Sequence, residues 1–203
     1  MFLRIVIALR ACASYALTVF LTYALFAALG AGMVHAGHPG ALARRDAVVG
    51  RAVTHDQSSI DYRAGRRGRA ALIDAAANFT LAALPQTVAG LTVVLPYLSV
   101  ARQGWMGGIV SVDGAHRSRL RTVRGAAYYL GTLLLQFLAF SLCIGAGVRA
   151  GVALYRSNGL VGWRLWRYRF PDAVLADAAR VVASSIPLFL LASCYEFFSP
   201  WNA

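Results

Sequence analysis

Four apolar stretches along the chain are each long enough to cross a membrane as a helix, which takes about 20 mainly apolar residues. The predicted spans are residues 11–34, 75–101, 126–155 and 181–198. In lipid every backbone N–H and C=O group must be satisfied internally, so apolar spans of this length are helices. The pattern therefore predicts an all-α polytopic membrane protein, with residues 1–203 forming a single membrane domain.

The second span is the least regular of the four. It contains Pro85 and Pro96 and continues into a short, glycine-rich apolar stretch from Gly104 to Val112. A proline inside a helix removes a hydrogen bond and kinks the helix. Two interpretations fit this pattern: a broken helix followed by a re-entrant or interfacial segment, or a kinked span followed by an ordinary loop.

The first span resembles a secretory signal peptide, since Arg4 and Arg10 come before or at the start of the apolar stretch and small residues lie near position 35. A typical signal peptide has an apolar region of about 7 to 15 residues. The apolar stretch here is longer, so we expect an uncleaved membrane anchor.

Composition agrees with a membrane protein and excludes an ordinary soluble domain. The 203 residues are 59% hydrophobic and 14% charged, against roughly 45 to 50% apolar and about 25% charged residues in soluble domains. The 20 basic residues are all arginine and outnumber the 8 acidic residues, for a net charge of +12. Because these arginines lie between the apolar spans, they are typical of membrane flanks, and no nucleic-acid partner is expected.

The connection over residues 35–74 is the longest and carries seven arginines. It has room for a short amphipathic helix over residues 42–53. With four crossings, this connection and the third, residues 156–180, share one side of the membrane and together hold 12 arginines. The positive-inside rule then predicts that this side is cytoplasmic.

Two segments carry packing or interface signals. The third span contains Gly145, Gly147 and Gly151, the last two in a G-x-x-x-G pattern that lets helices approach closely, either within the chain or with a partner. A second segment alternates aromatic and basic residues before the fourth span, which is typical of a membrane interface and of binding to anionic lipid. Its residues are Trp163, Arg164, Trp166, Arg167, Tyr168 and Arg169.

Three polar residues near the span ends form a predicted cluster. Asp74 and Asn78 are spaced i, i+4, so they share one face of a helix, and four crossings would place Arg149 beside them. Glu196, the only glutamate, lies at the end of the fourth span. An acid at membrane depth suggests a functional site, although near the headgroups it would simply be solvated. We expect Glu196 to meet Arg4, Arg10 or an arginine of the second connection.

Enzyme and metal chemistry have weak support. His35, His38 and His55 lack the further ligands that a metal site needs. Asp113, His116 and Ser118 have the residue types of a hydrolytic triad, but residues so close in sequence seldom reach its geometry. Cys12, Cys143 and Cys194 are isolated within apolar stretches. We therefore expect no enzyme activity, no cofactor, no metal and no disulfide framework.

Over residues 76–200 the chain resembles the membrane proteins related to stage II sporulation protein M. The similarity rests on three groups of residues. They are Asn78-Phe79 with Pro85 and the exit from Gly104 to Gly108; Gly145-x-Gly147-x-x-x-Gly151; and Ile186-Pro187-Leu188 with Ala192, Glu196-Phe197 and Pro200. The chain departs from the family at residues 126–129, Ala-Ala-Tyr-Tyr, where the family has Pro-His or Glu, and in its arginine-rich first connection.

The resemblance implies a non-enzymatic scaffold or accessory subunit of the bacterial cytoplasmic (inner) membrane. Its partners would be membrane lipids and other membrane protein subunits. The family's namesake acts in a complex with cell-wall hydrolases during engulfment, a role that we do not transfer to this chain. The alternative is a transporter or permease component with a polar site at a broken helix.

Overall fold

The computed structural model describes residues 2–158 and 172–199, which are helical apart from short turns. In chain order the helices are α1 (Phe2–His35), α2 (Pro39–His55), α3 (Gln57–Arg63), α4 (Arg67–Ala77), α5 (Leu84–Ala89), α6 (Leu95–Ile109), α7 (Val123–Asn158) and α8 (Asp172–Phe198). A π-helical segment, Asn78–Ala83, joins α4 to α5, and 3-10 turns cover Gly90–Thr92 and Arg119–Arg121. The predicted all-α fold is confirmed.

Within the described ranges, three helices are long and apolar enough to cross a membrane: α1, α7 and α8. They contain the predicted spans 11–34, 126–155 and 181–198. The predicted span 75–101 is not one helix, because it is divided among the end of α4, the π segment, α5, a 3-10 turn and the start of α6. A fourth spanning helix is therefore not confirmed. A separate re-entrant element beginning at Gly104 is not confirmed either, since the first six residues of that stretch complete α6.

The chain reverses direction between α5 and α6 and forms a helical hairpin, residues 67–109. Val93 lies at the turn with φ of 66°, a backbone conformation that a β-branched residue seldom adopts. Thr92 stabilises the start of α6, because its side-chain oxygen accepts a hydrogen bond from the Leu95 N–H at 3.2 Å. Pro96 lies in the first turn of α6, where the missing N–H removes no helical hydrogen bond.

The returning arm of the hairpin packs parallel to α1 with the backbones in close contact. A Cβ atom at Gly104 would lie 2.6 Å from the Tyr23 carbonyl oxygen, and one at Gly108 would overlap the Ala27 carbonyl oxygen. Residue numbers increase together in the two helices, so α1 and α6 point the same way. Glycine at these positions permits the contact, since any side chain would force the helices apart.

Helices α7 and α8 complete the bundle. Gly145 of α7 lies against Ala16 of α1, and the rings of Tyr23 and Phe137 stack with centroids 4.7 Å apart. Because higher numbers in α7 meet lower numbers in α1, the two helices are antiparallel. Helix α8 runs antiparallel to α7 in turn, since Arg149 contacts Asp177 and Gln136 contacts Glu196.

These directions define two ends of the bundle. The Glu196 end holds the C-terminal ends of α1, α6 and α8 and the starts of α4 and α7. The Arg149 end holds the starts of α1 and α8, the late part of α7 and the turn of the hairpin, where a Cβ at Gly151 would lie 2.6 Å from the Gly90 carbonyl oxygen. The hairpin therefore enters from the Glu196 end and returns to it.

The first two connections meet at the Glu196 end. Helix α2 covers the segment 42–53, so the predicted helix in the first connection is confirmed. The Nε2 atom of His116, in the second connection, lies 3.0 Å from the Asp46 carboxylate of α2. This contact does not fit four crossings, which would place the first and second connections on opposite sides of the membrane; the hairpin instead returns to the end at which it started.

Asp61 ties α3 to α4 beneath the end of α8. Its side chain is buried, and its carboxylate contacts Arg66 at 2.6 Å and Arg69 at 3.1 Å. Hydrogen bonds from the Arg66 guanidinium lower the pKa of this carboxyl below its ordinary value. The ionised form is thus favoured in the folded protein.

Replacing Asp61 by Asn should lower the melting temperature of the purified protein at pH 7. A carboxyl group with a lowered folded-state pKa stabilises the fold above its unfolded pKa of about 3.9, and this contribution is lost as pH falls through the folded value. The wild-type protein should therefore lose stability below about pH 4, and Asp61→Asn should lose less there. Asp172→Asn is the control, since Asp172 is exposed; equal pH profiles for wild type and Asp61→Asn would contradict the prediction.

Candidate functional site

A polar cavity of about 210 Å³ lies between helices at the Glu196 end of the bundle. Helices α6, α7 and α8 and the 3-10 turn at residues 119–121 form its walls. The lining residues are Gly107, Val110, Arg119, Tyr128, Tyr129, Thr132, Leu133, Gln136 and Glu196. The volume is that of about seven water molecules in the liquid, so the cavity is large enough for a small polar molecule.

Glu196 forms one wall of this cavity together with Gln136. The Gln136 amide donates a hydrogen bond to Glu196 Oε2 at 2.9 Å. Two further groups line the cavity, the Nε–H of Arg119 and the hydroxyl of Thr132, and both are buried without a hydrogen-bond partner in the structure. Buried polar groups are normally satisfied, so these two can still bind water or a ligand.

One of the predicted partners of Glu196 lies near it. Arg119, which belongs to the second connection, lines the same cavity. Arg4 and Arg10 lie in the first turns of α1, at the opposite end of the bundle. Gln136 was not predicted as a partner, although an amide within an apolar helix is itself a sign of an interior contact.

Asp74 belongs to a second polar group near the Glu196 end. It accepts hydrogen bonds from the Asn78 amide at 2.9 Å and from the Ser193 hydroxyl at 2.6 Å. Ser193 and Glu196 are three residues apart on α8, so they lie on the same face of that helix. The first arm of the hairpin, which begins with α4, is thus linked to α8 by a hydrogen bond close to the cavity.

The expectation that Arg149 joins Asp74 and Asn78 is wrong. Arg149 donates to Asp177 at 3.2 Å, and Asp74 contacts Ser193, which lies about 24 Å further along α8 at 1.5 Å per residue. The expectation assumed that residues 75–101 cross the membrane. Because the hairpin returns to its starting end instead, α7 runs in the opposite direction to that expected with four crossings.

Asp177 is shared by two arginines at the Arg149 end. Arg149 contacts one of its carboxylate oxygens, and Arg180 donates to the other at 2.9 Å. Arg149 Nη1 also lies 4.0 Å from the Cys12 sulfur. The side chains of Arg149 and Asp177 are each 18% exposed, so this ion pair is largely removed from solvent.

Asp177→Asn should destabilise the protein by about 3 kcal/mol, because removing one partner of a largely buried ion pair leaves an uncompensated charge. The fall in melting temperature in detergent measures the effect. Asp172→Asn serves as the control, because Asp172 is exposed in the first turn of the same helix. Equal melting temperatures for the two variants would show that the ion pair does not stabilise the bundle.

The three glycines singled out in the third span lie at internal contacts of the chain. A Cβ at Gly145 would lie 2.5 Å from the Ala16 backbone nitrogen, and one at Gly147 would overlap the Thr87 carbonyl oxygen. Gly151 faces the Gly90 carbonyl at the hairpin turn. The backbones of α1, α7 and the hairpin therefore touch directly.

Histidine and loop residues have structural contacts. His38 accepts a hydrogen bond from the Ala41 N–H at the start of α2. Asp113 accepts from the backbone N–H groups of Ala115 and Arg117, and Ser118 accepts from Leu120. In residues 2–158 and 172–199, no three His, Cys, Asp or Glu side chains are grouped as a metal site would require.

The predicted lipid-interface residues lie outside the described part of the chain. They are Trp163, Arg164, Trp166, Arg167, Tyr168 and Arg169.

The architecture is that of an all-α membrane protein, since α1, α7 and α8 are long and apolar enough to cross a membrane. Comparisons with protein-family models, curated proteins and solved structures find no match to this chain.

Proposed function

We propose that this chain is a non-enzymatic scaffold or accessory subunit of the bacterial cytoplasmic membrane, which assembles with other membrane proteins in a larger complex. The observation that carries the proposal is the direct backbone packing of the hairpin against α1 and α7, at Gly104, Gly108, Gly147 and Gly151. Such packing fills the interior between the hairpin and α1 towards the Glu196 end and between the hairpin and α7 towards the Arg149 end. A rigid interior suits a subunit that holds other helices in place better than one that opens a pathway.

The proposal includes the hairpin as a membrane-embedded element that takes the place of the predicted second span, residues 75–101. Its outward-facing side chains are apolar: Leu81 is 78% exposed, Val88 is 65% exposed and Leu98 is 66% exposed. Large apolar side chains so exposed fit lipid or protein contact better than water. More than half of the 20 arginines lie in residues 35–74 and 110–125, so the Glu196 end is the proposed cytoplasmic end.

Membership in the family of stage II sporulation protein M is part of this proposal. The residues that carry the resemblance include Gly104, Gly147 and Gly151, which the structure places at close helix contacts, and Glu196, which lines the cavity. The three glycines thus share one structural role, close helix packing. This role requires no catalytic group.

Purification from the native membrane tests the scaffold proposal. The tagged chain is extracted in a mild detergent, and co-purifying proteins are identified and quantified by mass spectrometry against a tagged polytopic protein from the same membrane. We expect a defined set of membrane subunits at fixed stoichiometry. Purification of the chain alone, as a monomer or as a homo-oligomer, would refute the proposal.

The polar cavity favours a second candidate function, that of a transporter or permease component. Broken helices near polar sites are expected features of transporters. Here α4, the π segment and α5 form a broken arm, and Asp74 in this arm accepts a hydrogen bond from Ser193, three residues before Glu196. The test is a screen of small polar solutes for a rise in melting temperature. A solute that stabilises wild type and Asp172→Asn but not Glu196→Gln would support transport; no such solute would leave the scaffold as the better proposal.

A further inference from the structure

Among the described residues, the Arg149 end of the bundle carries more arginines than acids. Arg149 and Arg180 share the single carboxylate of Asp177, and the side chain of Arg180 is only 35% exposed. A charge in an apolar environment is costly unless it is paired. A further anion at this position would therefore be bound favourably.

A cavity of about 640 Å³ lies beside this excess charge, between the start of α1 and α8. Its lining residues are Arg4, Ile5, Arg180, Ala183 and Ser184. Two arginines from different helices thus line one space, and the other walls are largely apolar. The combination of basic groups and apolar walls at a span end is typical of a phospholipid headgroup site.

We propose that this cavity binds the phosphate group of an anionic phospholipid between Arg4 and Arg180. Guanidinium groups bind phosphate through paired, charge-assisted hydrogen bonds, and Arg180 keeps donors beyond the one that it gives to Asp177. Ile5 and Ala183 offer apolar contact to the glycerol and the first methylenes of the acyl chains. The inference is independent of the scaffold and transporter proposals, since neither of them is argued from a residue that lines this cavity.

The test measures binding of phosphatidylglycerol and phosphatidylcholine to the purified full-length chain by native mass spectrometry and by melting temperature. Wild type should bind phosphatidylglycerol more tightly than phosphatidylcholine. Each arginine contributes about 1 kcal/mol, so Arg4→Gln should lower the affinity for phosphatidylglycerol about fivefold. Arg156→Gln is the matched control, because Arg156 is an exposed arginine near the same end that lines a different cavity.

Arg180→Gln should weaken binding by a similar factor, but it also removes a contact to Asp177. Arg4→Gln leaves the contacts among Arg149, Asp177 and Arg180 in place, so it decides the proposal if Arg180→Gln does not fold. Inorganic phosphate is the second ligand tested. Any of three results would overturn the proposal. They are stabilisation by phosphate equal to that by phosphatidylglycerol, equal binding of the two lipids, and an equal loss of phosphatidylglycerol affinity in Arg4→Gln and Arg156→Gln.

Discussion

Single cysteines at Ala47 and Ala115 should be labelled from the same side of the membrane, and a cysteine at Ser157 from the opposite side. The first two positions are exposed in the connections that meet through Asp46 and His116. Ser157 is exposed at the last turn of α7, at the Arg149 end. An impermeant maleimide applied to spheroplasts should label the Ser157→Cys variant alone, and lysis should make the other two positions reactive.

The labelling experiment distinguishes two topologies with an all-or-none result. A chain with four simple crossings would place residues 47 and 115 on opposite sides, whereas the hairpin places them together. The variants are made on a Cys194→Ala background, because Cys194 is exposed, and the buried Cys12 and Cys143 should stay unlabelled. Labelling of the Ala47→Cys and Ala115→Cys variants from different sides would disprove the hairpin.

Gly108→Ala should remove most of the folded protein, although alanine is the better helix former. A Cβ at Gly108 would overlap the Ala27 carbonyl oxygen and lie 2.8 Å from the Ala31 nitrogen, both backbone atoms of α1. Backbone atoms cannot rotate away as a side chain can, so α1 and α6 must separate along their contact. We expect a loss of about 3 kcal/mol or more, the upper end of what overpacking costs, seen as a lower melting temperature and a reduced monodisperse peak.

Gly32→Ala is the matched control for this prediction. Gly32 lies in α1, and a Cβ there would have no neighbour within 4 Å. Because glycine in a helix interior is about 0.5 to 1 kcal/mol less favourable than alanine, this variant should be as stable as wild type or slightly more stable. If Gly108→Ala behaved like Gly32→Ala, the close contact between α1 and α6 would not exist in the membrane.

Much of the fold follows from local sequence patterns. The lengths of the apolar stretches identify α1, α7 and α8, because crossing a membrane requires a minimum number of apolar residues in one helix. The helix over residues 39–55 was expected from its own short segment. The glycines at 145, 147 and 151 indicated a close contact, since small residues are what a helix needs to touch another backbone.

The polar sites could not be assigned in the same way. The contact between Asp74 and Asn78 could be predicted from their spacing on one helix alone, and their hydrogen bond agrees with it. The partner of Arg149 depended on the direction of α7, and this direction depended on whether residues 75–101 cross or turn back. A single residue at an unusual φ, Val93, marks the turn, and no local pattern in an apolar segment distinguishes such a turn from a kink.

The sequence by itself determined that this protein is helical, apolar and basic, and it identified the segments of the three long apolar helices, together with a further stretch, residues 75–101, that does not form one helix. These properties are sums over neighbouring residues, so they need no knowledge of contacts. Only the tertiary structure decided that the second predicted span, residues 75–101, belongs to a hairpin, that Asp177 is the partner of Arg149, and that Glu196, Gln136 and Arg119 line one cavity. The reason is physical: such contacts join residues far apart in the chain, and they depend on the relative direction of the helices.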